Sequence, residues 1–530
     1  MKTKILVGSV LLSMLAVTSC SDFLTEDPKG KLTPTTYFST QDELDMSVYS
    51  LYQKVASTQG YTNMQLPQWM GDDMTANPGS NKQAAAEFDA FAPADNNKGV
   101  SECWSQHYTL IKAANYIILN AEKTPTTPEE IAIAIGQAKY WRAYSYFTLV
   151  RVFGELPLNL TNEIDYAAPL VPVADIYKQI VQDLQDCENL PTSYSTEPRA
   201  MFGANTYITQ QAAKATLSAV YMAMAGWPLK QADCYAKAAA KAKEVIDGVK
   251  SGTYEYIIED QFKSVYAPSH NYSHETVVGI NYQQSFTWVQ DSQLTSSNLF
   301  ESLGGWGDAF GEIRFWKNMP AGPRKDAIYN PKILTENKEG GKLVDWWEKD
   351  AKGVNYIPEN HPMFSIFTVG KGDTDYDYTK PASLDMTNSH RHRIIRYAEV
   401  LLWYAEAQAR AEGTPNALAY ESVNTVRQRA GLDPLPAGMT GAAFADAVVA
   451  EHGWEIAGYW CALVTRRADQ MRMELLKQTF EERAANEPVE VAPGVMVKES
   501  VPLPNKVWSE KVIYAPYPAT DASLNPNLKK

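Results

Sequence analysis

The feature that most limits the fold is a recurrence of helix pairs joined by tight Gly/Pro turns. Apolar residues at helical spacing cover 101–122 and 128–153, split by Thr124-Pro125-Thr126-Thr127-Pro128. The pattern returns over 205–226 and 231–248, split at Gly226-Trp227-Pro228. It returns again over 394–412 and 416–430, split at Gly413-Thr414-Pro415. A lone helix is expected over 174–190, and two more over 441–456 and 458–482. Thr40 with Glu43 three residues on forms a capping box that starts an earlier helix. Such pairs cannot bury their apolar sides alone, so they stack on one another. Alanines at 398, 405, 407, 409 and 411 permit close helix approach. The expected fold class is mostly all-α: a tetratricopeptide-like helix-pair superhelix with long irregular loop insertions and at most minor β structure. The tetratricopeptide consensus itself is absent.

Two stretches break the pattern. Residues 60–100 are rich in turn formers such as Pro67, Gly71, Asn77 and Gly79, and read as loop. Residues from about 250 to 393 are rich in Gly, Pro, Asn and aromatics, with one short strand candidate at Thr276–Ile280. That is too long for a connector, and its aromatic content argues against disorder, so it is expected to pack as elaborated loops on the helical frame. The tail over 502–530 is also irregular.

Charge and targeting signals narrow the function class. There are 48 basic and 62 acidic side chains, a formal net charge of −14. This opposes nucleic-acid binding, and docking on anionic lipid by charge alone. Lys2 and Lys4 precede an apolar run over 5–17 that ends in Val17-Thr18-Ser19-Cys20. The run is too short to span a membrane and suits a signal peptide. The small residues before Cys20 resemble a bacterial lipobox. The expected organisation is a signal peptide over 1–19, lipidation at Cys20 and a tether over 20–35. An N-terminal helical region over 36–265, a loop-rich insertion over 266–393 and a C-terminal helical region and tail over 394–530 follow. Cys103, Cys187, Cys234 and Cys461 form no C-x-x-C pair and read as mostly buried and free, with one bridge left open.

Catalytic motifs are absent: there is no G-x-S-x-G, H-E-x-x-H, Walker A or G-x-G-x-x-G. His270 and His274 read as surface histidines, and His390-Arg391-His392-Arg393 as a solvated basic turn. Asp373, Asp375 and Asp377 begin like a calcium loop, but Tyr378 stands where the turn glycine belongs and Leu384 where the bidentate glutamate belongs. A solvated acidic loop is the expectation there, with calcium as the alternative. No metal and no other cofactor is expected.

Motifs in fixed order resemble the SusD/RagB family of nutrient-binding outer-membrane lipoproteins of Bacteroidetes. They begin at Cys20-Ser21-Asp22-Phe23-Leu24 and continue through Gly71-Asp72-Asp73, Trp104, Tyr108 and Ala114-Asn115. The segment from Ala138 through Trp141-Arg142 and Phe153-Gly154 to Leu158 is similar to the family's most recognisable helix and exit loop. Pro323-Arg324-Lys325-Asp326, Ile395-Arg396-Tyr397, Val423 to Leu432 and Leu524-Asn525-Pro526-Asn527 follow; Glu451-His452-Gly453-Trp454-Glu455 departs from the usual form. Tyr140, Tyr144, Phe147 and Arg151 share one helix face and are expected to pack core. Arg142 and Arg396 are expected as partly buried guanidiniums bonded to loop carbonyls or carboxylates.

The resemblance implies a cell-surface glycan-binding lipoprotein, anchored in the outer membrane by its N-terminal lipid and facing the extracellular side. It would pass oligosaccharide to a SusC-like TonB-dependent transporter, without catalysis. A pyranose offers an apolar face to Trp or Tyr and hydroxyls to polar groups. The loop positions expected to supply these are Trp69, Asn77, Asn81 and Lys82 on one side and Tyr282, Trp288, Trp306, Arg314 and Trp316 on the other. Trp346-Trp347 is a further candidate, and Trp306 and Trp288 lead the set. The alternatives are a peptide- or glycoprotein-directed uptake lipoprotein of the same family, a secreted helical glycoside hydrolase, and a transporter lid with no ligand of its own.

Overall fold

Local chemistry starts and stops the central helix. Thr127 Oγ1 accepts the Glu130 N–H at 3.2 Å, Pro128 occupies the first turn, and Gly154, at φ +80°, ends the helix after Phe153. The structure, a computed structural model, describes residues 37–60, 70–77, 79–163, 165–284 and 291–529. The expected signal peptide, Cys20 and the expected tether lie outside those residues.

Nine helices form the frame: α1 (Gln41–Thr58), α2 (Lys98–Asn120), α3 (Pro128–Phe153), α4 (Val173–Asp186), α5 (Gln210–Ala225), α6 (Cys234–Lys250), α7 (Tyr397–Glu412), α8 (Ala417–Arg429) and α9 (Gly441–Glu455). Each packs on the next along the chain, from α1 on α2 through α6 on α7, and α7 packs on both α8 and α9. This is the expected helix-pair superhelix. The middle of α3 is buried all round: Tyr140, Trp141, Tyr144 and Phe147 lie in the core. Arg142, near the centre of α3, holds Asp183 of α4 through Nε at 2.8 Å and Nη2 at 2.7 Å, and donates to Asn115 Oδ1 of α2 at 2.8 Å. Cys103, Cys187, Cys234 and Cys461 are all buried and free.

The chain leaves this stack after α6 and rejoins it at α7. Its exit and return are tied by two antiparallel strands, β1 (Thr276–Ile280) and β2 (His392–Arg396). Between them the insertion builds a second core around Leu299, Phe310, Ile313, Ile333, Val344 and Trp346. The expected solvated turn at 390–393 is wrong. His390, Arg391, His392 and Arg393 are each 2% exposed or less, because they form or adjoin β2. Arg391 lies so close over β1 that a side chain at Gly279 would come within 2.3 Å of its Nε.

Three further expectations need correction. Residues 458–482 are not one helix: Gly458, at φ +68°, turns a buried segment that bonds back to β2 through Leu463 N–H and Ile394 O at 2.7 Å. Two short helices, Arg466–Arg472 and Leu476–Ala485, follow it. Residues 60–100 are not all loop, since Gln83–Asp89 is helical. The tail over 502–530, preceded by a hairpin at Val489–Ala492 and Val495–Val497, is irregular but also carries a short helix at Ala519–Leu524. It is fastened to the first helix pair by Ala515 N–H to Val152 O at 2.8 Å and Trp104 Nε1 to Asp521 at 3.1 Å.

Buried charges hold the junction of stack and insertion. Arg396 at the end of β2 contacts Glu455 at 2.6 Å and Glu275 at 3.0 Å. Arg429 contacts Glu275 at 3.0 Å and also Glu455. Arg324, from the insertion helix Pro323–Tyr329, contacts Glu451 at 2.6 Å and Glu455 at 3.0 Å. Burial raises the Glu455 pKa, but the three guanidiniums outweigh it and hold the carboxyl at about 2. Removing one partner of such a set strands the other charges, so Glu455→Gln will cost about 3–5 kcal/mol of stability, read by denaturant unfolding.

Beside it, His452 meets Asp469 at 2.5 Å and Glu399 at 3.7 Å. Burial pushes its pKa down, but Asp469 and Glu399 prevail and raise it to about 9 from 6.5. Its contribution is therefore complete below pH 6.5 and lost as pH rises through about 9. Unfolding free energy measured across that window will fall more steeply for the wild type than for His452→Gln.

Candidate ligand-binding surface

The insertion reaches back to the N-terminal region through one short strand pair. Met74–Ala76 pairs antiparallel with Ala309–Gly311, with Thr75 opposite Phe310. The pairing continues as Asn77 N–H donates to the Asp308 carbonyl at 3.1 Å and Glu312 N–H to the Asp73 carbonyl at 3.1 Å. Asn77 and Lys82 on one side and residues 306–308 on the other, far apart in sequence, are thus adjacent in space.

Each side of this surface is shaped by its own turn. Asn77 Oδ1 accepts the Gly79 N–H at 3.0 Å, and Lys82 N–H donates to Gly79 O at 2.8 Å. Asn81 is exposed. Opposite, the Gly304-Gly305-Trp306-Gly307 run folds against Leu294–Asn298 and the turn after it. Trp306 N–H donates to Ser296 O at 2.6 Å and Gly307 N–H to Leu299 O at 2.9 Å. Gly304 and Gly307 take positive φ values of 93° and 58°. At Gly305 a Cβ would lie 2.1 Å from the Leu299 carbonyl. The glycines are required by this close turn, which leaves the Trp306 indole partly exposed.

Lys82 joins the two sides. It is 6% exposed, ion-paired with buried Asp308, and donates through Nζ to the Trp306 carbonyl at 2.7 Å. Sequence reading named Lys82 as a ligand contact; the structure gives it the Trp306 loop to hold instead. Beneath, Asp73 accepts the Gly458 N–H at 2.8 Å, and burial followed by the neighbouring Asp72 raises its carboxyl to about 7.

The other expected positions do not all join this surface. Trp69 and Trp288 lie outside the described residues. Tyr282 is a core residue, 8% exposed, with its hydroxyl donating to Ala56 O and its ring 4.4 Å from that of His392. It lies two residues past the end of β1, a strand buried along its whole length. Arg314 donates to Glu487 O at 3.3 Å and lines a separate pocket of about 190 Å³ with Asp72, Trp454 and Arg466. Trp316 packs against Trp346 and Trp347, each ring 5.4 Å away, and carries the Lys325 ammonium over its face at 4.2 Å. These three indoles consolidate the insertion's own core.

Asp373, Asp375 and Asp377 do not converge. Asp373 accepts from Ser389 Oγ at 2.6 Å, Asp375 from Ser269 Oγ at 2.7 Å, and Asp377 from Thr379 Oγ1 at 2.6 Å. Among the described residues no cluster of three or more His, Cys, Asp or Glu could hold a metal ion. His270 and His274 stay partly exposed, with separate partners in Glu259 and Glu255.

Comparison with known proteins decides the family. The family described as "SusD family" matches residues 350–530, and the one described as "Starch-binding associating with outer membrane" matches residues 22–222. The chain belongs to the SusD/RagB family. A SusD-like protein P2 from Formosa agariphila is 26% identical over 440 residues, covering 79% of this chain and 80% of its own. Two solved structures share the fold. One, determined with a xylogluco-oligosaccharide, has a TM-score of 0.72 at 19% identity over 92% of this chain and 98% of its own. The other, a laminarin-binding SusD-like protein, has a TM-score of 0.69 at 19% identity over 92% and 98%. No described helix of this SusD/RagB protein is long and apolar enough to cross a membrane.

If Lys82 sets the Trp306 loop, Lys82→Met will loosen it locally. Hydrogen exchange at amides 304–308 is expected to accelerate about tenfold or more, the equivalent of about 1.4 kcal/mol, while amides of α3 keep their protection.

Proposed function

We propose that this protein is a cell-surface glycan-binding lipoprotein of the outer membrane. Held by lipid on Cys20, it captures oligosaccharide at the Trp306 surface and delivers it to a SusC-like TonB-dependent transporter. The observation that carries the ligand assignment is a partly exposed indole on a loop that Lys82, next in sequence to the exposed Asn81, holds beside one strand pair. A sugar ring stacks its C–H face on an indole while its hydroxyls exchange hydrogen bonds with amides and carbonyls. The proteins of like fold solved with a xylogluco-oligosaccharide, or described as laminarin-binding, support the same ligand class. The outer-membrane association in the matched family description, and the lipobox at Cys20, support the location.

Binding alone accounts for this role. The buried Lys82–Asp308 pair beside Trp306 is committed to holding the loop. No general acid–base duty is assigned to it.

Titration calorimetry of residues 21–530 against laminarin and xyloglucan oligosaccharides tests the proposal. Trp306→Ala is expected to weaken binding about tenfold or more, as loss of a stacked ring worth about 1.4 kcal/mol requires, with the melting temperature retained. Unchanged affinity refutes the Trp306 assignment, and release of reducing sugar during incubation would favour the hydrolase alternative.

A further inference from the structure

A larger cleft lies apart from the Trp306 surface. Its volume is about 790 Å³, within the range of small-molecule sites. Two short turns, Phe262–Ser264 and Pro268–His270, form one wall, and the start of the Pro323–Tyr329 helix forms another. The loop 375–379 closes it with Tyr376 and Tyr378. Tyr376 is partly buried and Tyr378 is 37% exposed, so both rings are set into the lining without being sealed in the core.

The tyrosine loop is held in place from both sides. Asp375 takes the Ser269 N–H at 3.0 Å and its hydroxyl at 2.7 Å, which pins the loop to the opposite wall. Asp377 takes the Thr379 N–H at 3.0 Å and the Lys380 ammonium at 2.8 Å. Asp373 takes the Ser389 N–H at 3.1 Å. The three aspartates that began like a calcium loop act as staples, and their effect is to present two rings on a fixed backbone. Rings fixed in advance lose little freedom when a ligand stacks on them.

The remaining polar lining selects the ligand's chemistry. The cationic lining group Arg429 is committed to Glu275 and Glu455. Asp260 and Asp326 are exposed carboxylates in the cleft, against a single exposed ammonium at Lys263. Exposed carboxylates therefore outnumber exposed ammonium groups. Flat rings beside exposed carboxylates suit a ligand with apolar ring faces and hydroxyl donors, and repel uronates and sulfates.

The loop also links the two places. Past the tyrosines it returns through Asp385, which accepts Gln284 Nε2 at 3.0 Å, to Met386. The Met386 carbonyl accepts Ser296 Oγ at 2.8 Å, and Ser296 is the residue whose own carbonyl holds Trp306 N–H. One segment, 369–388, thus carries the tyrosine wall of the cleft at one end and buttresses the Trp306 turn at the other.

We infer that the Tyr376–Tyr378 cleft is a second carbohydrate subsite, taking a neutral segment of a glycan chain whose other part lies on the Trp306 surface. Its ligand class rests on the function proposed above; its residues are independent of it. Two linked weak contacts on one chain multiply, so the subsite matters for long oligosaccharides and not for short ones.

The test titrates laminarin and xyloglucan chains, long and trisaccharide-length, and an oligogalacturonate of matching length. The proteins are the wild type, Tyr378→Ala, Tyr376→Ala/Tyr378→Ala, Asp260→Asn/Asp326→Asn and Trp306→Ala, each checked by its melting temperature. Tyr378→Ala is expected to weaken the long neutral chain about tenfold while leaving the trisaccharide unchanged, with oligogalacturonate unaffected by either tyrosine variant. The Asp260→Asn/Asp326→Asn pair, which keeps both rings, is expected to weaken the long neutral chain and admit the acidic one. If Trp306→Ala abolishes long-chain binding but none of the cleft variants alters it, the second subsite is refuted and the proposed function stands. If no glycan binds the wild type, both fall. Cleft-dependent binding of a lysine-rich peptide in place of sugar would also overturn the assignment.

Discussion

The structure turns on a buried set of three guanidiniums and three carboxylates. Arg396, Arg429 and Arg324 meet Glu275, Glu451 and Glu455 where the long insertion leaves and rejoins the helical stack. Glu275 sits at the exit, Arg396 at the return, Arg324 on an insertion helix, and Arg429, Glu451 and Glu455 on the last helix pair. An apolar junction of equal size could be as stable, since desolvating ions offsets much of their attraction. What ions add is geometry. Each guanidinium accepts few orientations of its carboxylates, so the angle between insertion and stack is fixed. The Trp306 loop inherits that angle, because its strand pairs with Met74–Ala76, and the residue just before that strand, Asp73, is held by Gly458 beyond α9.

That cluster also explains which parts of the sequence were readable. The motif residues Arg324, Arg396 and Arg429 were each legible as family signatures, and Arg396 as a bonded guanidinium. Their convergence was not, because 275, 324, 396, 429 and 455 share no local period. The helix pairs were legible for the opposite reason. Thr127-Pro128, Gly154 and Gly413 act within one turn of themselves, so start and stop signals survive without tertiary information. Sequence reading failed at 390–393 because four cationic or ionisable residues in a row look solvated; burial against Gly279, Tyr266 and Tyr272 is a tertiary fact. It failed over 458–482 because Tyr459 to Val464 carry apolar side chains that satisfy a helix pattern and a buried run of turns equally well.

The candidate surface divides along the same line. Gly304, Gly305 and Gly307 announced an unusual backbone around Trp306, and local strain is visible in sequence. Asn77, Asn81 and Lys82 were found only through the family resemblance. What separates a presenting aromatic from a packing one was invisible: Trp306 and Tyr282 lie in irregular segments and Trp316 in the short helix Ile313–Asn318, all three with polar residues close by in sequence. Trp316 finds two other indoles within 5.4 Å, and Tyr282 finds the interior of the helical frame, while Trp306 is turned outward by the glycines beside it.

A binding loop of this kind faces a physical conflict. It must expose an apolar ring to water, and a pair of three-residue strands cannot hold such a ring steady by itself. The buried Lys82–Asp308 pair resolves this locally, because an ammonium closed off from solvent and bonded to the Trp306 carbonyl penalises every conformation that would separate them. The same device recurs at 373–389, where three aspartates bind serine and threonine groups on either side of the tyrosines. In both places charge or carboxylate is spent on the backbone behind an aromatic ring, not on the space in front of it. The ring faces are thereby left to meet a neutral ligand, and the loops keep their shape without regular secondary structure.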